Sequence, residues 1–390
     1  MKILHLSHGS LPDWRIEKSA ISASIRGHEI SFAGRKPVDY HTDYFSKVYE
    51  IDWPEGAKFG ISFYWNYLKK QVLKVINQMR PDIVHAHNIF AAKIISQLSI
   101  PFVYDDHEYT SVYVRGLAES VRLHDTNYNI KSKYSLPTSS KINKIIRRIA
   151  WNVLLKNRAV NLWTKWEKEI LSSSCPTIVT TKNVACELGS LHNNHKIFVV
   201  PNYPAESEVS RIVRPCYYKE ISSVYAGKDK FYSTGVYAHR NRTGLTEIFI
   251  NNEIGVLTMI GITGESSTKI RYLGSLSRES MYREMGKHSV GLMTYRSHWS
   301  HRYKSPNKAY EYAHAGLYVM CTSSFNSVIE TLNGNCDVIE NYKELVEKLR
   351  NYRYSAEELY EKRCKSFHFA RANLIWEKYE DNILRAYQLC

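Results

Sequence analysis

Apolar residues in the first half of the chain fall into short runs split by polar loops, and the period changes from run to run. KILHLS (2–7) reads as a strand, followed by the polar loop HGSLPDW. RIEKSAISASIR (15–26) has helical character and stops at Gly27, a C′ position where a left-handed glycine closes a helix. EISFAG (29–34) is the next strand. Over 61–79, Tyr64, Leu68, Val72, Val75, Ile76 and Met79 make a stripe of period 3.6, closed by Arg80-Pro81. DIVHAH (82–87) is a strand, IFAAKIISQL (89–98) a short helix and PFVYDD (101–106) another strand. This alternation implies a parallel sheet with helices on both faces.

CPTIVTTK (175–182) and KIFVVPNYP (196–204) read as two more strands, and the Pro-Asn-Tyr-Pro turn marks a domain boundary. The pattern then restarts. Strands are predicted at 223–227, 255–261, 269–274, 289–295 and 317–323, helices at 241–250, 277–287 and 307–316, and a charged helical tail from about 341. The expected fold is α/β, with two Rossmann-like domains, 1–200 and 205–372, facing a cleft. Ligands of such open sheets sit at the carboxyl ends of the strands.

Composition sets limits on this picture. The chain is 390 residues long, 44% hydrophobic and 23% charged, which suits two folded domains rather than disorder. Its 53 Lys and Arg against 38 Asp and Glu give a net charge of +15, which attracts nucleic acid, anionic lipid or a phosphorylated substrate without choosing among them. Seven widely spaced cysteines with no C-x-x-C pair point to a reducing compartment and away from structural zinc. The opening MKILHLSHGS is too short an apolar run for a signal peptide, and no window approaches the ~20 apolar residues of a membrane span. The expected location is cytoplasmic, or on the inner face of a membrane. Residues 139–171 are amphipathic, with eight Lys/Arg against Glu167 and Glu169. Two readings stand: a surface for anionic head groups, or core-packing helices with a solvated basic face.

No G-x-G-x-x-G or G-x-x-x-x-G-K-[ST] loop is present, which removes the main support for a dehydrogenase or P-loop kinase. The strongest local signal is SPNKAYEYAHAGLYVMCTS (305–323). Ser305, Pro306 and Asn307 precede a helix whose first N–H groups, with Lys308, suit a diphosphate. Glu311 lies one turn on, where a carboxylate can accept from ribose hydroxyls. A capped helix with a surface Glu is the plain alternative. Near the other end of the chain, RPDIVHAHNIF and IPFVYDDHEY place His107 at the carboxyl end of a strand, where an imidazole can hydrogen-bond a sugar hydroxyl. A metal site from Asp105, Asp106 and His107 is disfavoured, because consecutive strand residues point to opposite faces.

Segment 305–323 resembles the donor motif of retaining glycosyltransferases of family four, of GT-B architecture, and 80–109 resembles their N-terminal strand–His motif. That resemblance implies transfer of a sugar from a nucleotide-diphosphate sugar to an acceptor, with retention of configuration. By it, Ser305, Asn307 and Lys308 would meet the donor and Glu311 its ribose. His107 would face the sugar, and His107 and Glu311 would be the catalytic pair. A second Glu, eight residues upstream of Glu311 in many members, is here replaced by Tyr303, and His298 or His301 would supply the sugar contact. Arg242 matches the family's Arg-Gly position for the diphosphate, and Lys228 is a weaker candidate. Gly9 and Arg15 fall in the first loop and helix, the acceptor side. The last helix, 373–390, would cross back to the first domain, and domain closure would exclude water. No cofactor and no metal are implied, the nucleotide sugar being a co-substrate. The acceptor would be a glycan, a lipid-linked molecule or a small molecule, in glycan or polysaccharide synthesis. The alternatives are a sugar-nucleotide 2-epimerase on the same fold and a non-catalytic basic nucleic-acid-binding protein.

Overall fold

Ile3, Leu4, His5 and Leu6 follow one another in β1 (Lys2–Ser10) and are all inaccessible to solvent. A continuous buried run of this kind suits a strand covered on both faces, as in an all-parallel sheet. The computed structural model describes residues 1–37, 44–54, 62–124, 158, 160–227 and 240–390. The described residues divide into two units, Met1–Val200 with Tyr379–Cys390, and Pro201–Lys378.

The first unit is built on seven parallel strands in the order β3-β2-β1-β4-β5-β6-β7. These are β1, β2 (Glu29–Arg35), β3 (Lys47–Glu50), β4 (Ile83–His87), β5 (Phe102–Asp106), β6 (Thr177–Val179) and β7 (Ile197–Val199). Strand order reverses between β1 and β4, the switch point where open α/β sheets take their ligands. Asp13 caps the helix Trp14–Ile25, accepting from the Arg15 and Ile16 N–H groups, and Gly27 follows its end at φ +79°. The tail helix Glu380–Gln388 belongs to this unit and buries Ile383, Ala386 and Tyr387.

Pro201–Lys378 carries six parallel strands in the order β10-β9-β8-β11-β12-β13. They are β8 (Ser222–Ala226), β9 (Val256–Ile260), β10 (Ile270–Gly274), β11 (Val290–Met293), β12 (Tyr318–Thr322) and β13 (Cys336–Ile339). The reversal here lies between β8 and β11. The helix Asn307–His314 rests on this junction. Gly291 of β11 has no side chain because the Tyr312 ring takes its place: a Cβ there would stand 2.4 Å from Tyr312 Cγ. The Tyr312 hydroxyl accepts from the Ala226 N–H at 2.7 Å and so ties the helix to the end of β8.

The two-sheet α/β architecture expected from periodicity is present. The short strands β3 and β13 and the helices Thr110–His124, Lys182–His192 and Asn326–Leu332 were not anticipated. Of the basic stretch 139–171, residues 139–157 and 159 lie outside the described residues. The part described is the helix Val160–Ser172, and it packs inward: Trp163, Trp166, Glu167 and Ile170 are buried. Trp166 meets Trp65 edge-on at 4.7 Å, and Trp163 meets Phe90 at 4.9 Å. Among the described residues no helix is long and apolar enough to cross a membrane.

Candidate functional site

The ends of β1, β4 and β5 gather the titratable side chains of the first unit. Register brings His5 beside His85 and His87 beside Asp105. Alternation then puts Asp105 and His107 on one face and Tyr104 and Asp106 on the other. Asp105 is the hub. The Arg15 guanidinium donates to it through Nη2 at 2.7 Å and Nε at 3.1 Å, and through Nη1 to the Val200 carbonyl at 2.9 Å. The imidazole nitrogens of His85, His87 and His107 approach Asp105 Oδ2 at 3.3, 3.5 and 3.3 Å. His5 Nδ1 meets His87 Nε2 at 2.9 Å, and His87 Nδ1 meets His107 Nε2 at 3.0 Å. The Tyr387 hydroxyl meets His85 Nδ1 at 2.8 Å.

Burial decides the charges in this cluster. His5, His85 and His87 are pushed below the ordinary histidine range first by desolvation, and His5 and His87 further by neighbouring imidazoles. Burial alone would raise the Asp105 carboxyl, but Arg15 and then His107 outweigh it and hold it well below the usual carboxylate range. On the opposite face, desolvation lifts Asp106 to about 6 and Glu167 to about 8. Of the cluster, His107 keeps partial exposure, at 13%. Arg15, named from the sequence as an acceptor contact, is buried and committed to Asp105 and Val200, so it orients the cluster from behind. Gly9 lies in β1 with its N–H on Ser7 Oγ at 3.0 Å, and its carbonyl comes so near Gly34 that a Cβ there would stand 2.7 Å away.

In the second unit the chemistry collects where β8 and β11 end. Tyr225 and Tyr295 join hydroxyl to hydroxyl at 2.9 Å. Lys308 Nζ donates to the Tyr295 hydroxyl at 2.9 Å and stands 4.1 Å from the centre of the Tyr225 ring, while the Arg242 guanidinium stands 4.9 Å from that same centre. Two cations thus share one aromatic ring beside the start of the Asn307–His314 helix, where Asn307 is exposed and Lys308 half-buried. Ser305 turns inward: its hydroxyl meets that of Tyr310 at 3.1 Å and its carbonyl accepts from Asn202. Its side chain braces the loop rather than opening to a ligand. Glu311 is buried and pairs with Arg278 at 2.9 Å, and Arg278 also pairs with Glu208. His301 is inaccessible, stacked on Phe325 at 4.0 Å and bonded to Ser324, which closes it to a sugar. His298 Nδ1 caps the short helix that follows it. Lys228 lies outside the described residues.

A cavity of about 210 Å³ opens at the ends of β11, β12 and β13, lined among others by Thr243, Tyr295, Thr322, Glu340 and Tyr342. Sites for drug-sized ligands run to ~300–1,000 Å³, so this cavity is smaller than such a site. Tyr225, Tyr295, Arg278 and His87 were not singled out from the sequence. The two tyrosines had a usable signal, since Tyr225 lies near the end of β8 and Tyr295 just beyond the end of β11.

No protein-family model and no curated protein matches the chain. Solved structures do. Sucrose-phosphate synthase from Thermosynechococcus elongatus aligns with a TM-score of 0.69 at 12% identity, over 100% of this chain and 98% of that one. WaaG, a glycosyltransferase involved in lipopolysaccharide biosynthesis, aligns with a TM-score of 0.61 at 11% identity, over 98% and 99%. Anabaena HepE in complex with UDP-glucose aligns at 0.61 and 10%, over the whole of both chains. At such identities the likeness establishes the fold: the chain has the two-sheet GT-B architecture that these structures share.

Proposed function

We propose that the chain is a glycosyltransferase that moves a sugar from a nucleotide-diphosphate sugar to an acceptor hydroxyl. The observation that carries this reading is the pairing of Lys308 and Arg242 on the Tyr225 ring beside an open helix start at the β8/β11 reversal. Two fixed cations and a helix start with no side-chain cap suit a diphosphate without a metal at that position. Glu311, oriented by Arg278, is assigned to the ribose. A neighbour of the same fold binds UDP-glucose, which agrees with this use of the second unit.

In the reaction proposed, the acceptor oxygen bonds to the anomeric carbon as the bond from that carbon to the diphosphate oxygen breaks. The hydroxyl proton passes to the leaving phosphate, and Lys308 and Arg242 hold the charge that develops there. Family-four membership, hexosyl transfer, retention and a substrate contact by His107 are proposals resting on the sequence resemblance. So are an acceptor bound by the first unit, a lipid-linked acceptor drawn by the basic 139–171 stretch, and action at the cytoplasmic side of a membrane. The test is calorimetry with UDP, GDP, ADP and dTDP sugars on the intact chain and on Glu311→Ala, followed by NMR of the anomeric product. Tight binding of one donor, weakened severely in a folded variant, supports the assignment, and unchanged binding removes it.

A second reading has its own observation. A Listeria monocytogenes protein named for UDP-N-acetylglucosamine 2-epimerase activity aligns over 99% of this chain with a TM-score of 0.52. An epimerase would convert the nucleotide sugar with no acceptor present, and product analysis in that condition separates the two.

A further inference from the structure

We propose that His87 Nδ1, Asp105 Oδ2 and His107 Nε2 form a binding site for one divalent transition-metal ion of the zinc class, with a fourth position open to an oxygen ligand. These three atoms stand 3.0, 3.5 and 3.3 Å apart, and together they can offer one ligand atom each to a common ion. Bonds of about 2.0–2.1 Å in a tetrahedron separate their ligand atoms by about 3.3–3.4 Å. The triangle therefore has the edges of one tetrahedral face.

The His87–His107 edge has the length of a hydrogen bond, whereas the three imidazole contacts to Asp105 Oδ2 are longer than one. An imidazole N–H donating to a carboxylate closes to about 2.7–2.9 Å. Arg15 Nη2 does so on Asp105 Oδ1, at 2.7 Å. The imidazole nitrogens stop at 3.3–3.5 Å from Oδ2. One of them, His85 Nε2, is fully buried, has no hydrogen-bond partner and points at that same oxygen.

The surroundings are those of a metal site. Ligating imidazoles and carboxylates are held from behind by further hydrogen bonds. His87 gives its other nitrogen to His5, Asp105 is gripped by Arg15, and the Asn88 side-chain amide lies 3.4 Å from His107 Nδ1. Two imidazoles with one carboxylate select zinc, cobalt, nickel or copper over magnesium or calcium. The opening lies on the His107 side. Arg15 already neutralises Asp105, so the ion is held less tightly than in a closed four-ligand structural site. In the loaded chain His107 commits Nε2 to the ion, and its Nδ1 stays beside the Asn88 amide. The site stands whether or not the chain transfers sugar, since its test is binding alone.

The intact chain, stripped with a chelator, is titrated with Zn²⁺ by calorimetry and with Co²⁺ by visible absorption, and the bound ion is examined by X-ray absorption. The expected result is one ion per chain, the intense bands of four-coordinate cobalt, and a shell of two imidazoles with oxygen donors. His107→Ala should weaken binding by at least about tenfold. His368→Ala, at an exposed histidine outside the cluster, should leave it unchanged. Binding far below one ion per chain, a shell with fewer than two imidazoles, or equal affinity in His107→Ala overturns the site. The X-ray absorption result on the unaltered chain decides the matter if the variant fails to fold.

Discussion

Asp105 joins Arg15 to His85, His87 and His107 in the interior of the first unit. It is buried to 1% and faces Arg15, itself 7% exposed, so each charge depends on the other. Asp105→Asn removes the anion and leaves the guanidinium uncompensated, which costs about 3–5 kcal/mol for a buried pair. Urea unfolding of the variant should show a loss of that size, and a loss below ~1 kcal/mol would mean that Arg15 finds another anion. Lys308 supports a different expectation. It rests on two tyrosines and makes no buried ion pair among the described residues, so Lys308→Met should fold and lose donor affinity by about 10–100-fold, the range of one or two charge-assisted hydrogen bonds to phosphate. Equal donor affinity by calorimetry would remove Lys308 from the site.

Elements show what was legible in the chain and what was not. Long periodic stretches declared themselves: the Trp14–Ile25 helix with its closing Gly27 and the Ser62–Met79 stripe are both present. β3 is four residues of Lys-Val-Tyr-Glu, too short for its alternation to stand out from a loop. His107 and Asp105 were noticed as neighbours of Asp106, but their partnership with His87 and His85 depends on the β4–β5 register, which no local pattern contains. Arg278 was invisible for the same reason, since its partners Glu208 and Glu311 come from distant segments. Gly291 tests the packing of the Asn307–His314 helix. Adding a methyl group against the buried Tyr312 ring forces the helix away from β11 and should cost about 1–3 kcal/mol. Gly291→Ala should therefore melt earlier and bind donor more weakly, and a neutral melting point would show that Tyr312 can turn aside.

At the scale of the whole molecule, buried histidines held neutral are one route by which acid destabilises the chain. Burial lowers His314 from 6.5 to about 4, even though its Nε2–H donates to the Leu374 carbonyl at 2.9 Å. The unfolded chain therefore binds a proton that the folded chain refuses between pH 6.5 and about 4. Stability is fully present above 6.5 and falls with acidification through that window, by up to roughly 3 kcal/mol for this group. Denaturant midpoints should decline from pH 7 to 4, with less decline in His314→Gln, and parallel profiles would assign the acid sensitivity elsewhere. The return of Tyr379–Cys390 to the first unit has a consequence for synthesis on the ribosome. Pro201–Lys378 is one uninterrupted stretch and can fold as it emerges. The first two hundred residues emerge without one of their parts, because the hydroxyl over His85 comes from Tyr387. Until that residue is made, the nascent lobe carries a histidine core short of one hydroxyl, and it is completed only after its younger neighbour has been synthesised.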